Sequence, residues 1–199
     1  VRRQCASRGA FPAMARALDE VGFPEPRGRE DGFACLLQII VCQQVSKEAG
    51  AAIWLKLEKR LVDVTVDKVR RVRETTLKSC GLSRPKVRYA KALALAINSG
   101  SLNLDGLDNL TDDEVREALT AVTGIGAWTA EIYLMFALGR PDILPSGDLA
   151  LAVSAQGILG LAERPTPSEL EIIAERWAPF RTAAAIMLWH CYRRAPLID

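Results

Sequence analysis

The chain has 199 residues, of which 26 are Lys or Arg, 24 are Asp or Glu and one is His. This length corresponds to one or two domains, and the 25% charged and 49% apolar residues exclude a wholly disordered chain. The single histidine, His190, excludes a His-rich zinc site, and a Ser-His-Asp triad would have to use that residue. Any chemistry therefore rests on carboxylates, hydroxyls, thiols or backbone groups.

The cysteines are scattered and form no C-x-x-C pair; they are Cys5, Cys35, Cys42, Cys80 and Cys191. Single cysteines of this kind indicate reduced thiols and a cytoplasmic protein, and their spacing excludes a four-Cys iron–sulfur cluster. No stretch is a continuous apolar span of about 20 residues, as a membrane helix requires. The chain also opens without a signal-peptide pattern.

Apolar residues at helical spacing predict an all-α protein of nine or ten helices, without alternating strand pairs or internal repeats. In chain order, the helices are predicted over residues 11–21, 33–61 (as one or two helices), 66–77, 85–97, 128–138, 148–159 and 182–193, with two more after Thr111 and at Ser168. A link rich in Pro, Gly and Arg covers residues 23–32.

Several helix ends carry typical capping residues. Thr111 followed by Glu114 at the third helical position forms a capping box, and Ser168 followed by Glu171 has the same spacing. Gly81 is placed to end the helix over residues 66–77.

Positive charge is concentrated in residues 68–91, which hold nine basic residues against one acidic residue, Glu74. The basic residues are Lys68, Arg70, Arg71, Arg73, Lys78, Arg84, Lys86, Arg88 and Lys91. This segment is +8 within a chain of +2. It is either an ordinary solvated helix face or a surface that attracts phosphates, which release counterions when they are neutralised.

Residues 119–130, LTAVTGIGAWTA, predict two helices joined by Gly124-Ile125-Gly126. The glycines permit a tight turn, and the first N–H groups of the second helix carry a partial positive charge that suits a phosphate oxygen. Carbonyls that end the first helix can face a monovalent cation. A plain helix–turn–helix corner remains the alternative. A dinucleotide fingerprint fails because Thr129 stands at the third glycine position and no strand precedes the loop.

Asp148 is the only charged residue between Ile143 and Ala162. It follows the predicted turn at residues 145–147 and begins an apolar helix. One interpretation is a helix N-cap, which contributes about 1 kcal/mol. The other is a functional carboxylate, because burying an unpaired carboxylate among apolar residues is costly.

Together these features reveal a family resemblance over residues 33–193. The chain resembles the helix–hairpin–helix (HhH-GPD) DNA glycosylases, in particular the 3-methyladenine DNA glycosylase II branch. The motifs that carry it are Gln43-Gln44-Val45-Ser46, Gly81-Leu82-Ser83 with Lys86, Val122-Thr123-Gly124-Ile125-Gly126-Ala127-Trp128-Thr129-Ala130, Leu144-Pro145-Ser146-Gly147-Asp148-Leu149-Ala150, and Glu175-Arg176-Trp177-Ala178-Pro179-Phe180-Arg181 followed by a helix with Trp189.

The resemblance implies an all-α helix–hairpin–helix fold with two helical lobes and an active site in the cleft between them. It implies a single glycosylase unit over residues 1–199, in which residues 1–32 pack on the second lobe. About 30 residues before Phe33 cannot hold the β-rich N-terminal domain of well-studied bacterial members, so we expect a compact form.

The resemblance also assigns roles to residues. Asp148 is the expected catalytic residue, and Trp189, Trp128 and Ile132 are the expected base pocket. Gln43 and Gln44 are expected to fill the gap left by the extruded nucleotide. The expected DNA-binding hairpin is Thr123, Gly124, Ile125, Gly126, Ala127, Trp128 and Thr129, with Ser83, Arg84 and Lys86 as further phosphate contacts. The backbone carbonyls of Thr120, Val122 and Ile125 are expected to hold a structural Na+ or K+.

The activity implied is that of a monofunctional glycosylase that excises 3-methyladenine and 7-methylguanine from damaged double-stranded DNA. Bifunctional members carry a nucleophilic lysine where this chain has Trp128, so lyase activity is not expected. We expect a cytoplasmic, nucleoid-associated monomer without a catalytic cofactor or a nucleotide cofactor. Two alternatives remain, namely a non-catalytic DNA-binding module and a glycosylase for a deaminated or etheno base.

Overall fold

The computed structural model describes residues 12–24, 28 and 32–194. This part of the chain contains helices, turns and loops and no strand, as the sequence predicted. The α-helices are α1 (Pro12–Val21), α2 (Phe33–Cys42), α3 (Lys47–Leu61), α4 (Val66–Arg71), α5 (Glu74–Ser79), α6 (Arg84–Asn98), α7 (Asp112–Thr120), α8 (Ala127–Phe136), α9 (Leu149–Leu159), α10 (Pro167–Ala174) and α11 (Arg181–Arg194). Two 3₁₀ helices cover Leu104–Asn109 and Glu175–Trp177.

The helix predicted over residues 66–77 is in fact two short helices, α4 and α5. Val72 and Arg73 separate them in extended conformation, with ψ angles of 146° and 144°. The Nζ of Lys91 on α6 donates hydrogen bonds to the carbonyls of Val69 and Arg70, at 2.8 Å each, and to the carbonyl of Val72. These contacts satisfy carbonyls at the end of α4 that a continuous helix would have used.

The predicted cap at Ser168 is wrong by two residues. Thr166 is the N-cap of α10 and forms a capping box with Glu169, while Pro167 occupies the first turn, where its missing N–H is not needed. The expected capping box at the start of α7 is present, and Gly81 follows the last residues of α5 with a left-handed φ of +103°.

The described residues divide into two compact units. One contains α1 and everything described from Gly139 onwards. In it, α11 packs against α9 and α1, and α10 packs against α9. Its most buried residues include Trp177, Leu188 and Leu151. The expected contact of residues 1–32 with the second lobe falls mostly outside the described residues; α1 lies in the unit that contains the end of the chain.

The other unit contains α2 to α8. Its central helix, α2, packs against α3, α6 and α8, which explains why six of its ten residues are buried. Leu36, Leu37 and Ile40 are fully buried there. In the same unit α7 packs against α8, so that the two helices flank the Gly-Ile-Gly turn. No helix in the described part of the chain is long and apolar enough to cross a bilayer.

Candidate functional site

The Gly-Ile-Gly segment forms a tight turn between α7 and α8. The N–H of Ile125 donates to the carbonyl of Val122 at 3.0 Å, and Gly124 has a left-handed φ of +96°. A Cβ on Gly124 would overlap the ring of Tyr89, which lies on α6. Both the backbone conformation and the packing of Tyr89 therefore require glycine at this position.

At Gly126, in contrast to Gly124, neither the backbone conformation nor the packing requires a glycine. Its φ of −96° is accessible to any residue, and a Cβ built there would meet no protein atom within 4 Å. Gly126 is the N-cap of α8, has no side-chain cap and is exposed together with Ala127. The helix N-terminus is therefore open to an approaching anion.

The carbonyls expected to hold a monovalent cation lie beside this turn. The carbonyl of Val122 accepts the turn hydrogen bond, whereas no hydrogen bond from the described residues reaches the carbonyls of Thr120 and Ile125. Backbone carbonyls are the oxygen ligands that Na+ and K+ take in proteins, so the donor set fits such a cation.

The structure distinguishes the two glutamines expected to fill the DNA gap. The side chain of Gln43 is half-buried, and its Nε2 donates to the carbonyl of Gly124 at 3.1 Å and to Oγ1 of Thr129 at 2.8 Å. Gln44 is exposed and has a left-handed φ of +52°. Of the two side chains, that of Gln44 is therefore the one exposed to solvent, whereas that of Gln43 bonds to the hairpin.

The three further residues expected to contact phosphate have different surroundings. Ser83 is the N-cap of α6, and Arg84 follows it with an exposed side chain. Lys86 is buried, and its Nζ donates to the carbonyl of Val41 at 2.7 Å. Burial lowers the pKa of Lys86. Its position gives Lys86 a contact at the end of α2 and does not support the prediction that it contacts phosphate.

Most of the basic segment is engaged within the protein. Lys68, Arg70, Arg71 and Lys78 pair with the carboxylates of Asp63, Asp67 and Glu74, while Lys86 and Lys91 donate to backbone carbonyls. No ion pair among the described residues involves Arg73, Arg84 or Arg88. The guanidinium of Arg88 lies 5.5 Å from the ring centre of Tyr89, the residue that packs on Gly124. Arg88 is therefore an exposed basic residue next to the side chain that packs on the hairpin.

Asp148 lies at the start of α9 and is held by three N–H groups. Its Oδ1 accepts hydrogen bonds from the backbone of Ala150 at 2.9 Å and Leu151 at 3.2 Å, and from Nε1 of Trp189 at 3.2 Å. The predicted N-cap is thus present. The hydrogen bond from the indole is not part of the N-cap. It joins the carboxylate to a half-buried aromatic ring on α11.

The loop that carries Asp148 is anchored at several points. Arg181 donates to Asp142 through Nε and Nη2, at 2.7 Å each, and this pairing lowers the pKa of Asp142. Thr182 accepts from the N–H of Ile143 and donates to a carbonyl of the same loop. Ser146 donates to Glu171 at 2.7 Å. These side chains had no predicted role, although Arg181 is the last residue of one of the motifs.

The residues expected to line the base pocket belong to both units. Trp189 lies on α11 in the unit of Asp148, and the structure brings these two residues together. Trp128 and Ile132 lie on α8 in the unit of the hairpin, where Trp128 is half-buried and Ile132 is 6% exposed. No group of three or more His, Cys, Asp or Glu residues in the described ranges could hold a metal ion.

The model of the HhH-GPD superfamily of base excision DNA repair proteins matches residues 37–180, which include the hairpin and Asp148. The chain belongs to this superfamily. It is 30% identical over 165 residues to DNA-3-methyladenine glycosylase 1 of Schizosaccharomyces pombe, covering 81% of this chain and 72% of the relative.

Solved structures of 3-methyladenine DNA glycosylases have a similar fold. The chain is similar to the 3-methyladenine DNA glycosylase Mag1 of Schizosaccharomyces pombe in complex with abasic DNA, with a TM-score of 0.85, 29% identity and coverage of 95% of both chains. It is also similar to a DNA-3-methyladenine glycosidase from Bacillus halodurans, with a TM-score of 0.80, 29% identity and coverage of 93% and 88%. The expected helix–hairpin–helix glycosylase fold is confirmed.

Proposed function

We propose that this protein is a monofunctional DNA glycosylase that hydrolyses the N-glycosidic bond of alkylated bases, such as 3-methyladenine and 7-methylguanine, and leaves an abasic site. The observation that carries the proposal is the carboxylate of Asp148, which three N–H donors orient beside Trp189. The relatives named as 3-methyladenine glycosylases support the choice of alkylated bases.

The chemistry suits a chain with one histidine. An N-alkylated purine carries a positive charge and is a good leaving group, so it needs little protonation as it departs. Asp148 would stabilise the developing oxocarbenium-like sugar and orient the attacking water. Trp189 would stack on the cationic base, a contact worth about 0.5–2 kcal/mol.

Duplex DNA would bind through the hairpin. The N–H groups at the start of α8 would donate hydrogen bonds to a phosphate, and a Na+ or K+ on the carbonyls of Thr120, Val122 and Ile125 would strengthen that contact. Gln44 would fill the gap left by the flipped nucleotide. Arg84 and Arg88 are the exposed basic residues we assign to neighbouring phosphates.

The absence of lyase activity is part of the proposal. A lyase forms a covalent adduct through an amine, and Trp128 stands where the bifunctional branches carry that lysine. The reaction would therefore stop at the abasic site, with the protein acting as a monomer and without a nucleotide cofactor.

The test is the variant Asp148→Asn. Asparagine is also a good N-cap, so the start of α9 should persist while the negative charge is lost. We expect base release from methylated DNA to fall by at least about 100-fold and duplex binding to remain unchanged. Released bases are identified by chromatography and mass spectrometry. Asp113→Asn, an exposed carboxylate on α7, is the matched control.

The alternatives give different results in this assay. A DNA-binding module without catalysis would bind duplex but release no base even as the wild-type protein. A glycosylase for another lesion would release a deaminated or etheno base instead of a methylated one. Full activity of Asp148→Asn would overturn the assignment of that residue.

A further inference from the structure

The side chain of Gln43 joins two segments that are far apart in the sequence. It belongs to the turn between α2 and α3, and its amide reaches the hairpin residues Gly124 and Thr129, which lie 81 and 86 positions further along the chain. An amide nitrogen has two hydrogens, and these two acceptors use both. Thr129 is 2% exposed, so one end of this link lies in the core of the unit.

The same turn is held from a second side. The buried ammonium of Lys86 donates to the carbonyl of Val41, at the end of α2, and the backbone N–H of Gln43 donates to the carbonyl of Ile40. Ser46 then begins α3 as its N-cap. The short segment between these anchors contains Gln44, which has a left-handed φ of +52° and an exposed side chain.

A nucleotide-flipping protein must place its gap-filling residue at a fixed distance from the phosphates that it grips. In this chain the hairpin would grip the phosphates and Gln44 would fill the gap, and Gln43 is the side chain that bonds one segment to the other. Because both of its amide hydrogens are used, Gln43 has no N–H donor left for a base in the gap.

We propose that Gln43 is a positioning residue that couples the hairpin to Gln44. It would hold the gap-filling side chain of Gln44 at a fixed distance from the phosphates that the hairpin binds. This inference rests on the proposed function only in requiring that the chain extrudes a nucleotide from duplex DNA. It assigns different roles to two adjacent glutamines that the sequence presents as equivalent.

The test uses the full chain and isosteric variants. Gln43→Met keeps the length of the side chain and removes both donors, and Thr129→Val keeps the shape of its acceptor and removes the hydroxyl. Gln44→Ala removes the gap-filling side chain itself. For each variant, affinity is measured for undamaged duplex and for the same duplex with a tetrahydrofuran abasic site, and their ratio gives the preference for a gap. The fluorescence of 2-aminopurine opposite that site reports insertion.

We expect Gln43→Met to lower the preference for the abasic duplex by about tenfold, while affinity for undamaged duplex changes by less than about twofold. Thr129→Val should give a smaller loss in the same direction, because the hydrogen bond to Gly124 remains. Since Gln43 acts through Gln44, the double variant with Gln44→Ala should be no worse than Gln44→Ala alone. A loss of folding stability by itself would not change this ratio.

An unchanged preference in Gln43→Met, or additive losses in the double variant, would overturn the inference. Should Gln43→Met fold poorly, Thr129→Val still decides, because an unchanged preference there contradicts the link. The proposed function can fail independently of this inference. In that case the wild-type protein releases no methylated base, while it still prefers the abasic duplex and this preference still depends on Gln43.

Discussion

Replacing Gly126 by alanine tests whether this glycine is required for ligand binding and not for folding. Gly126 has a φ of −96° and a ψ of 176°, which alanine adopts without strain, and the added methyl group would meet no protein atom within 4 Å. Alanine is a poorer N-cap than glycine, but it also restricts the unfolded chain, and these effects nearly cancel. We expect the free energy of unfolding to change by less than about 0.5 kcal/mol.

The effect on DNA binding should be much larger. The methyl group would project into the space through which a phosphate reaches the first N–H groups of α8. Each hydrogen bond to a charged group is worth about 1.5–3 kcal/mol, so the loss of one or two weakens binding by about tenfold or more. Binding of an undamaged duplex, measured by fluorescence anisotropy, should show this loss for all sequences.

Two further glycine variants serve as controls. Gly124→Ala places a Cβ against the ring of Tyr89 at a φ of +96°, and should cost about 2–4 kcal/mol of stability. Gly157→Ala, on the exposed side of α9 in the other unit, should raise stability by up to about 1 kcal/mol and leave binding unchanged. Wild-type affinity of a stably folded Gly126→Ala protein would refute the reasoning and make the hairpin only a structural corner.

Three other substitutions test the role of Arg88, the ion pair of Asp142 and the positive φ angle of Val62. Arg88→Gln should reduce the magnitude of the slope of log affinity against log salt concentration by about one. Arg71→Gln removes an arginine that pairs with Asp67, so it should leave the slope unchanged. Equal slopes for the two variants would contradict the role of Arg88. The pKa of Asp142 is lowered by Arg181, so their pair stabilises the fold above about pH 4 and loses about 1–2 kcal/mol as the pH falls further. Asp142→Asn should flatten that acid dependence in pH-resolved unfolding, and parallel curves would exclude the effect. Val62→Gly should stabilise the protein by about 1 kcal/mol in denaturant titration, because this exposed residue has a φ of +68°, and a neutral result would show no strain there.

The local features of the hairpin and of Asp148 could be predicted from the sequence. The Gly-Ile-Gly turn, the capping box of α7 and the N-cap role of Asp148 each depend on residues a few positions apart. Patterns over such short distances are visible in a single sequence, because helix periodicity and capping are local properties of the chain.

The basic segment shows why charge counting was insufficient. Its nine basic residues were compatible with an ordinary solvated face or with a phosphate-binding surface. In the structure their partners include Asp63 and Asp67, just before the segment, and backbone carbonyls. Within this segment, Arg73, Arg84 and Arg88 have no ion pair to any described residue. A run of basic residues in the sequence gives the amount of charge. The fold determines which of these side chains are available to a partner.

By itself, the sequence determined the helical class, the hairpin, the carboxylate at the start of α9 and the family resemblance, since all of these depend on short patterns and their order. Only the tertiary structure decided that Gln43 bonds to the hairpin while Gln44 stays exposed, that Lys86 is buried, and that Trp189 reaches Asp148. These contacts join residues 41–86 positions apart. Their geometry follows from how whole helices pack, which no local pattern encodes.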